Sequence, residues 1–90
     1  MACQASRAEP GRRPFRVYVL ELPDGRLYVG STAKSLTERI AEHRMRYGSR
    51  VKHMRALSPG TVCATRERAE AIERRTAQRL RRAGWEVEQG

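Results

Sequence analysis

Ninety residues carrying nineteen Lys and Arg against ten Asp and Glu give a formal charge of +9 at pH 7. A chain this short builds one small domain with a modest core, and no apolar run approaches the roughly 20 residues that cross a bilayer. So large a basic excess attracts polyanions, nucleic acid foremost, but it does not separate an enzyme from a binding module.

Residues 1–14 mix Ala, Arg, Ser, Pro and Gly without periodicity, which predicts a disordered basic arm ahead of a single domain over 15–90. Arg7, Arg12 and Arg13 could touch phosphate there, though a solvated tail is the plainer reading. The opening residues lack the apolar core of a signal peptide, so a cytoplasmic location, with the nucleoid as one site, is expected. Cys3 and Cys63, taken with His43 and His53, match no zinc spacing. Cys63 reads as a small buried apolar group in a reducing compartment.

Two apolar runs, 15–22 and 26–30, flank Pro23-Asp24-Gly25 and signal a β-hairpin. Pro suits the first corner of a type I turn, Asp the second, and Gly the left-handed residue that closes a three-residue loop. That loop pairs Leu22 with Arg26, Leu20 with Tyr28 and Tyr18 with Gly30. Tyr18 and Tyr28 then share one sheet face as diagonal neighbours, roughly 7–8 Å apart. A two-residue loop at Asp24-Gly25 would slip the register by one and separate them.

Ser35 followed by Glu38 is a capping-box signature, and it predicts a helix from Ser35 to about Tyr47-Gly48. Leu36, Ile40, His43 and Tyr47 fall on one helical face with Arg39 on its border. A guanidinium and an imidazole therefore project from the side that must cover the hairpin, an unusual place for polar groups. Residues 50–57 predict a second short helix, with Val51, Met54 and Leu57 inward and Arg50, Lys52 and Arg55 outward. Ser58-Pro59-Gly60 is a turn, and 61–64 a third strand.

Thr65 caps the longest helix, which runs to about Ala83 and stops at Gly84. Its apolar stripe is Ala69, Ile72, Thr76, Leu80 and Ala83, and Glu73 lies inside the edge of that stripe. Burying a lone carboxylate costs several kcal/mol unless a cation compensates, so Glu73 needs a partner. The hairpin face with Arg39 is the natural direction. Trp85-Glu86-Val87 reads as a short closing strand, with Trp85 over the core. The expected fold class is α/β (α+β): a small central three-stranded antiparallel sheet flanked by helices, in the order β-β-α-α-β-α, leaving room for a short C-terminal strand.

Arg16-Val17-Tyr18, Tyr28-Val29-Gly30, Arg39, His43 and Glu73, in this order and with the hairpin turn between the tyrosines, resemble the GIY-YIG nuclease domain. The likeness covers about residues 15–88 and suggests a small stand-alone member. It implies an endonuclease that hydrolyses DNA phosphodiesters with one Mg²⁺ or Mn²⁺ ion and no covalent intermediate. In that family the first tyrosine, matched by Tyr18, is the usual general base, and the second, matched by Tyr28, positions water or phosphate. The matched Arg39 serves the phosphate, His43 assists the base, and Glu73 is the metal ligand.

Elementary chemistry accommodates those roles. A phenol near pKa 10 is a poor base, but Arg39, Lys34 or metal-bound water could lower it. A guanidinium fork suits phosphate oxygens, and a hydrated Mg²⁺ can accept a single carboxylate. Lys34, Arg44, Arg46, Arg50, Lys52 and Arg55 would grip the DNA backbone, contacts that carry little sequence information. Low sequence specificity is therefore expected, with a partner protein as one route to targeting and no membrane. Single-stranded, duplex and branched DNA, repair and mobile-element roles, and oligomeric state all stay open.

Two departures stand out: Arg16 where the family often has Gly, and Gln89 where members often have Asn. Singly, each residue also has an ordinary reading. The tyrosines suit amphipathic strands, His43 a helix end, Arg39 an ion pair with Glu38 or Glu42, and Glu73 a bridge to arginine. The rival function is a catalytically inactive nucleic-acid-binding module of the same fold. A protein-interaction domain comes third, disfavoured by the charge.

Overall fold

A computed structural model of the chain describes residues 14–90. The arm expected over 1–14 lies outside the described residues except for Pro14, and Cys3, Arg7, Arg12 and Arg13 lie outside with it.

The hairpin forms as its turn dictates. Strands β1 (Phe15–Glu21) and β2 (Leu27–Thr32) pair antiparallel with Tyr18 opposite Gly30 and Leu20 opposite Tyr28. The Leu22 amide donates to the Arg26 carbonyl at 2.8 Å, and Gly25 takes φ 90° to close the loop. Asp24 fixes the corner by accepting from the Arg26 amide at 3.1 Å and from Arg26 Nε at 2.6 Å.

Helix α1 (Leu36–Tyr47) starts where Ser35 Oγ accepts from the Glu38 amide at 3.2 Å, and it stops at Gly48 with φ 111°. Helix α2 (Arg66–Arg82) starts where Thr65 Oγ1 accepts from the Arg68 amide at 3.3 Å. Ala77 is buried on α2, whereas Ala83, expected in the stripe, is exposed. Trp85, expected to cover the core, is 37 % exposed.

The fold class is α+β, but with a five-stranded sheet instead of three strands, and two helices among the described residues. The remaining strands are β3 (Lys52–His53), β4 (Val62–Cys63) and β5 (Val87–Gln89). Strand order is β3-β1-β2-β5, with β4 also pairing β1, and β5 runs parallel to β2. The helix expected over 50–57 does not form, because β1 has an outer edge to satisfy. Lys52 and His53 pair with Glu21 and Leu20, and the Met54 amide donates to the Val19 carbonyl at 2.8 Å. Val51 joins the core on one side of the sheet while Met54 and Leu57 join the core on the other. One helical face could not divide them so; an extended segment and a turn can.

The sheet separates two cores. Tyr18, Leu20, Leu22 and Val51 pack with Leu36, Ile40 and Tyr47 of α1. Val17, Val19, Leu27 and Val29 pack against Ala69, Ala77 and Leu80 of α2, where alanines let the helix lie close. Cys63 is buried in this second core, as expected of a small side chain there, and it is not a free thiol.

Candidate active site

On the α1 side of the sheet, Tyr18 is 1 % exposed, and its hydroxyl is held from two directions. Arg39 Nε donates to it at 3.2 Å, and His43 Nε2 lies 3.0 Å away. Arg39 can only donate, so the phenolic oxygen accepts there and its own hydrogen remains for His43. Burial pushes the Tyr18 phenol up to about 12, outweighing the opposing hydrogen bond and charge of Arg39. Burial, aided by Arg39, holds His43 below the ordinary histidine value. Both groups are therefore neutral at neutral pH, and the bond runs O–H to Nε2. Arg39 lowers the Tyr18 pKa as expected, but desolvation of the phenolate outweighs it, so no net lowering results.

The rings stack around this bond. Tyr18 and Tyr28 are nearly parallel with centroids 6.3 Å apart, Tyr28 meets the His43 edge at 4.6 Å, and Tyr47 stacks on His43 at 6.0 Å. Gly30 makes room for them: a Cβ there would lie 2.8 Å from Tyr18 Oη and 2.8 Å from Tyr28 Cε1. Beyond the rings, Arg39 Nη1 donates to Glu42 at 2.7 Å, and Lys34 Nζ donates to the same carboxylate at 2.5 Å.

Glu73 comes from the other side of the sheet. It is 2 % exposed, and its Oε2 accepts a hydrogen bond from Ser31 Oγ. Ser31 pairs with Val17, so it shares the face that α2 covers, one residue past Gly30. Glu73 Oε1 is buried with no hydrogen-bond partner, and burial pushes the carboxyl above its ordinary value. The expected bond toward Arg39 is not made: Ser31 takes that place, although Glu73 acts electrostatically on both Tyr18 and Tyr28. Periodicity marked Glu73 as inward-facing but could not say which sheet face α2 would cover.

Among the described residues no group of three His, Cys, Asp or Glu could enclose a metal ion. A buried carboxylate oxygen without a partner nevertheless fits a hydrated hard cation, which takes oxygen ligands and needs few from the protein. Sequence reasoning missed Ser31 in this arrangement. Its signal was strand alternation, which sets it opposite Val17.

The proposed backbone-gripping residues are dispersed. Lys34 is tied to Glu42, and Arg44 Nε donates to the Val51 carbonyl at 3.1 Å. Arg46 lies over the Tyr47 ring at 5.3 Å. Arg50 and Lys52 line an open cavity of about 330 Å³ beside the hairpin turn, and Arg55 lines another with Arg16. Gln89 is the register partner of Val29 on β5 and is exposed.

The family model described as the GIY-YIG catalytic domain matches residues 14–86. Neither the curated proteins nor the solved structures hold a significant match.

Proposed function

The chain belongs to the GIY-YIG catalytic-domain family, which implies nuclease-type activity, and on that premise we propose a metal-dependent DNA endonuclease of low sequence specificity. The observation that carries this reading is the Tyr18 hydroxyl held between Arg39 and His43. The oxygen of that phenol keeps one lone pair for an attacking water. As the water oxygen bonds to phosphorus, its proton passes to Tyr18 while the phenolic hydrogen moves to the neutral His43 Nε2. The old P–O bond breaks, and the departing oxygen takes a proton from solvent. A relay of this kind avoids a free phenolate, which burial disfavours.

Arg39 keeps its second terminal nitrogen for a phosphate oxygen, since Nε and Nη1 are engaged by Tyr18 and Glu42. Tyr28, half-buried beside His43, orients water or phosphate. Glu73 is the residue that would hold Mg²⁺ or Mn²⁺ through its unpartnered oxygen. Bound there, the ion would supply Lewis-acid stabilisation of charge on the phosphate. Lys34, Arg46, Arg50, Lys52 and Arg55 would add backbone contacts, and a partner protein would supply targeting in the cell.

The test uses labelled single-stranded, duplex and branched DNA, with and without Mg²⁺ or Mn²⁺. Nicking that requires the metal and disappears in Glu73→Ala and Arg39→Ala, while salt-sensitive binding survives, supports the reading. Binding without metal-dependent nicking of any substrate overturns it in favour of an inactive nucleic-acid-binding module. That second reading has its own observation: the Tyr18 phenol pushed up to about 12 is no base without a working relay.

A further inference from the structure

Between β3 and β4, on the outer edge of β1, lies a cavity of about 110 Å³ lined by Arg16, Arg55, His53, Ser58, Thr61 and Leu36. It has room for only a few waters or one small polar group. Arg16 and Tyr18 are alternate residues of β1 and point to the same sheet face, so Arg16 is the next side chain along the strand from Tyr18, which does not itself line the cavity.

Val17 and Leu36 give it apolar walls, and Arg16 and Arg55 are its charged groups. Arg16 and Arg55 have no guanidinium partner among the described residues, whereas Arg26, Arg39 and Arg44 are each engaged by protein oxygens. His53 is below its ordinary value through burial and the charge of Arg55. Its ring nitrogen roles follow from Ser58. Ser58 Oγ spends its hydrogen on the Met54 carbonyl at 3.0 Å and accepts from the Val19 amide at 3.0 Å. His53 Nε2, 3.2 Å from that oxygen, must therefore donate to it. Ser58 is a structural clip on the β1 edge, and the two guanidinium groups are what the cavity offers a ligand.

The geometry points to a phosphate subsite in this cavity, where Arg16 and Arg55 take a backbone phosphate of the DNA strand next to the one beside Tyr18. This rests on the proposed nuclease function. Two guanidinium forks with no partner among the described residues, lining one cavity on the strand that carries Tyr18, match the non-bridging oxygens of a singly charged phosphodiester better than they match a base edge or a peptide.

The test is equilibrium binding of single-stranded DNA without metal, measured against salt, for Arg16→Gln/Arg55→Gln and for Arg75→Gln/Arg79→Gln on exposed α2 positions. Both pairs remove the same charge. The cavity pair is expected to flatten the slope of log K against log salt by about 0.7, as for one lost single-strand phosphate contact, and the α2 pair by less. Oligonucleotides with one neutral methylphosphonate linkage, moved stepwise, should weaken wild-type binding at a single added position that the cavity variant no longer senses. Equal slopes for the two variant pairs, or a flat interference pattern such as capture of free phosphate would give, overturn the subsite. Metal-dependent nicking by the wild type is run in parallel. Nicking with equal slopes defeats the subsite alone, and unequal slopes without nicking defeat the nuclease reading instead.

Discussion

The two sides of the sheet treat buried polar groups differently. Beside α1, Tyr18, His43 and Arg39 satisfy one another, and Glu42 ties Arg39 to Lys34. Beside α2, Glu73 sits among alanines and valines with one oxygen on Ser31 and the other on nothing. Burial pushes Tyr18, His43 and Glu73 alike toward their neutral forms, but the α1 cluster is complete without a ligand. The α2 side is not. A proton-handling group can be finished by the chain itself, whereas a cation site must leave an oxygen unspent.

The largest effect is expected on the finished side. Tyr18→Phe keeps the ring and its stacking but removes the hydroxyl, and nicking should fall about 10²–10⁴-fold, the range for loss of a positioned proton-transfer group. The pH profile checks the same relay. His43 accepts a proton only when neutral, so at Mg²⁺ high enough to keep Glu73 ionised activity should fall with decreasing pH through a midpoint below the ordinary 6.5, and His43→Gln should abolish that limb.

Next comes the unfinished side. Glu73→Gln should lower nicking about 10²–10³-fold, as does loss of one electrostatic stabiliser, without loss of stability. The sign follows from linkage. With the folded carboxyl raised above its unfolded value, the folded state binds more protons just above pH 4.5, so stability declines there as pH rises. Urea unfolding from pH 4 upward should show that decline in the wild type and not in Glu73→Gln. Added Mg²⁺ should restore the wild type alone. Mg²⁺ stabilising both proteins equally would remove Glu73 as the ligand.

Gly30 lies between the two sides. Gly30→Ala places a methyl within 2.8 Å of Tyr18 Oη and of Tyr28 Cε1, and Tyr18 cannot move without leaving both Arg39 and His43. A loss of about 1–3 kcal/mol, typical of overpacking, should appear in urea unfolding, with nicking reduced by displaced phenols.

Much of this was legible because it is local. Pro23-Asp24-Gly25 sets the tyrosine register, and Ser35, Thr65 and Gly48 mark helix ends through bonds made within a few residues. What failed is long-range. Val51, Met54 and Leu57 repeat at helical spacing, yet the open edge of β1 draws Lys52 and His53 into a strand. Glu73 likewise shows its inward orientation in the sequence. Which core receives it depends on α2 crossing the sheet face opposite α1, and no residue near Glu73 records that choice.

The smallest expected effect tests whether the α2 side works as a unit. Ser31 Oγ donates to Glu73 Oε2, the main influence holding that carboxyl down against burial. Ser31→Ala should cost about 1 kcal/mol of stability, the usual scale for one hydrogen bond. It should also raise the Glu73 pKa further, so more Mg²⁺ is needed for half-maximal nicking near pH 6 than near pH 8. Ser31→Thr keeps the hydroxyl and should restore the wild-type Mg²⁺ dependence. Were Ser31→Ala to reduce nicking equally at both pH values and at saturating Mg²⁺, Ser31 would act on the phenols through the β2 backbone, and the two sides of the sheet would be one site.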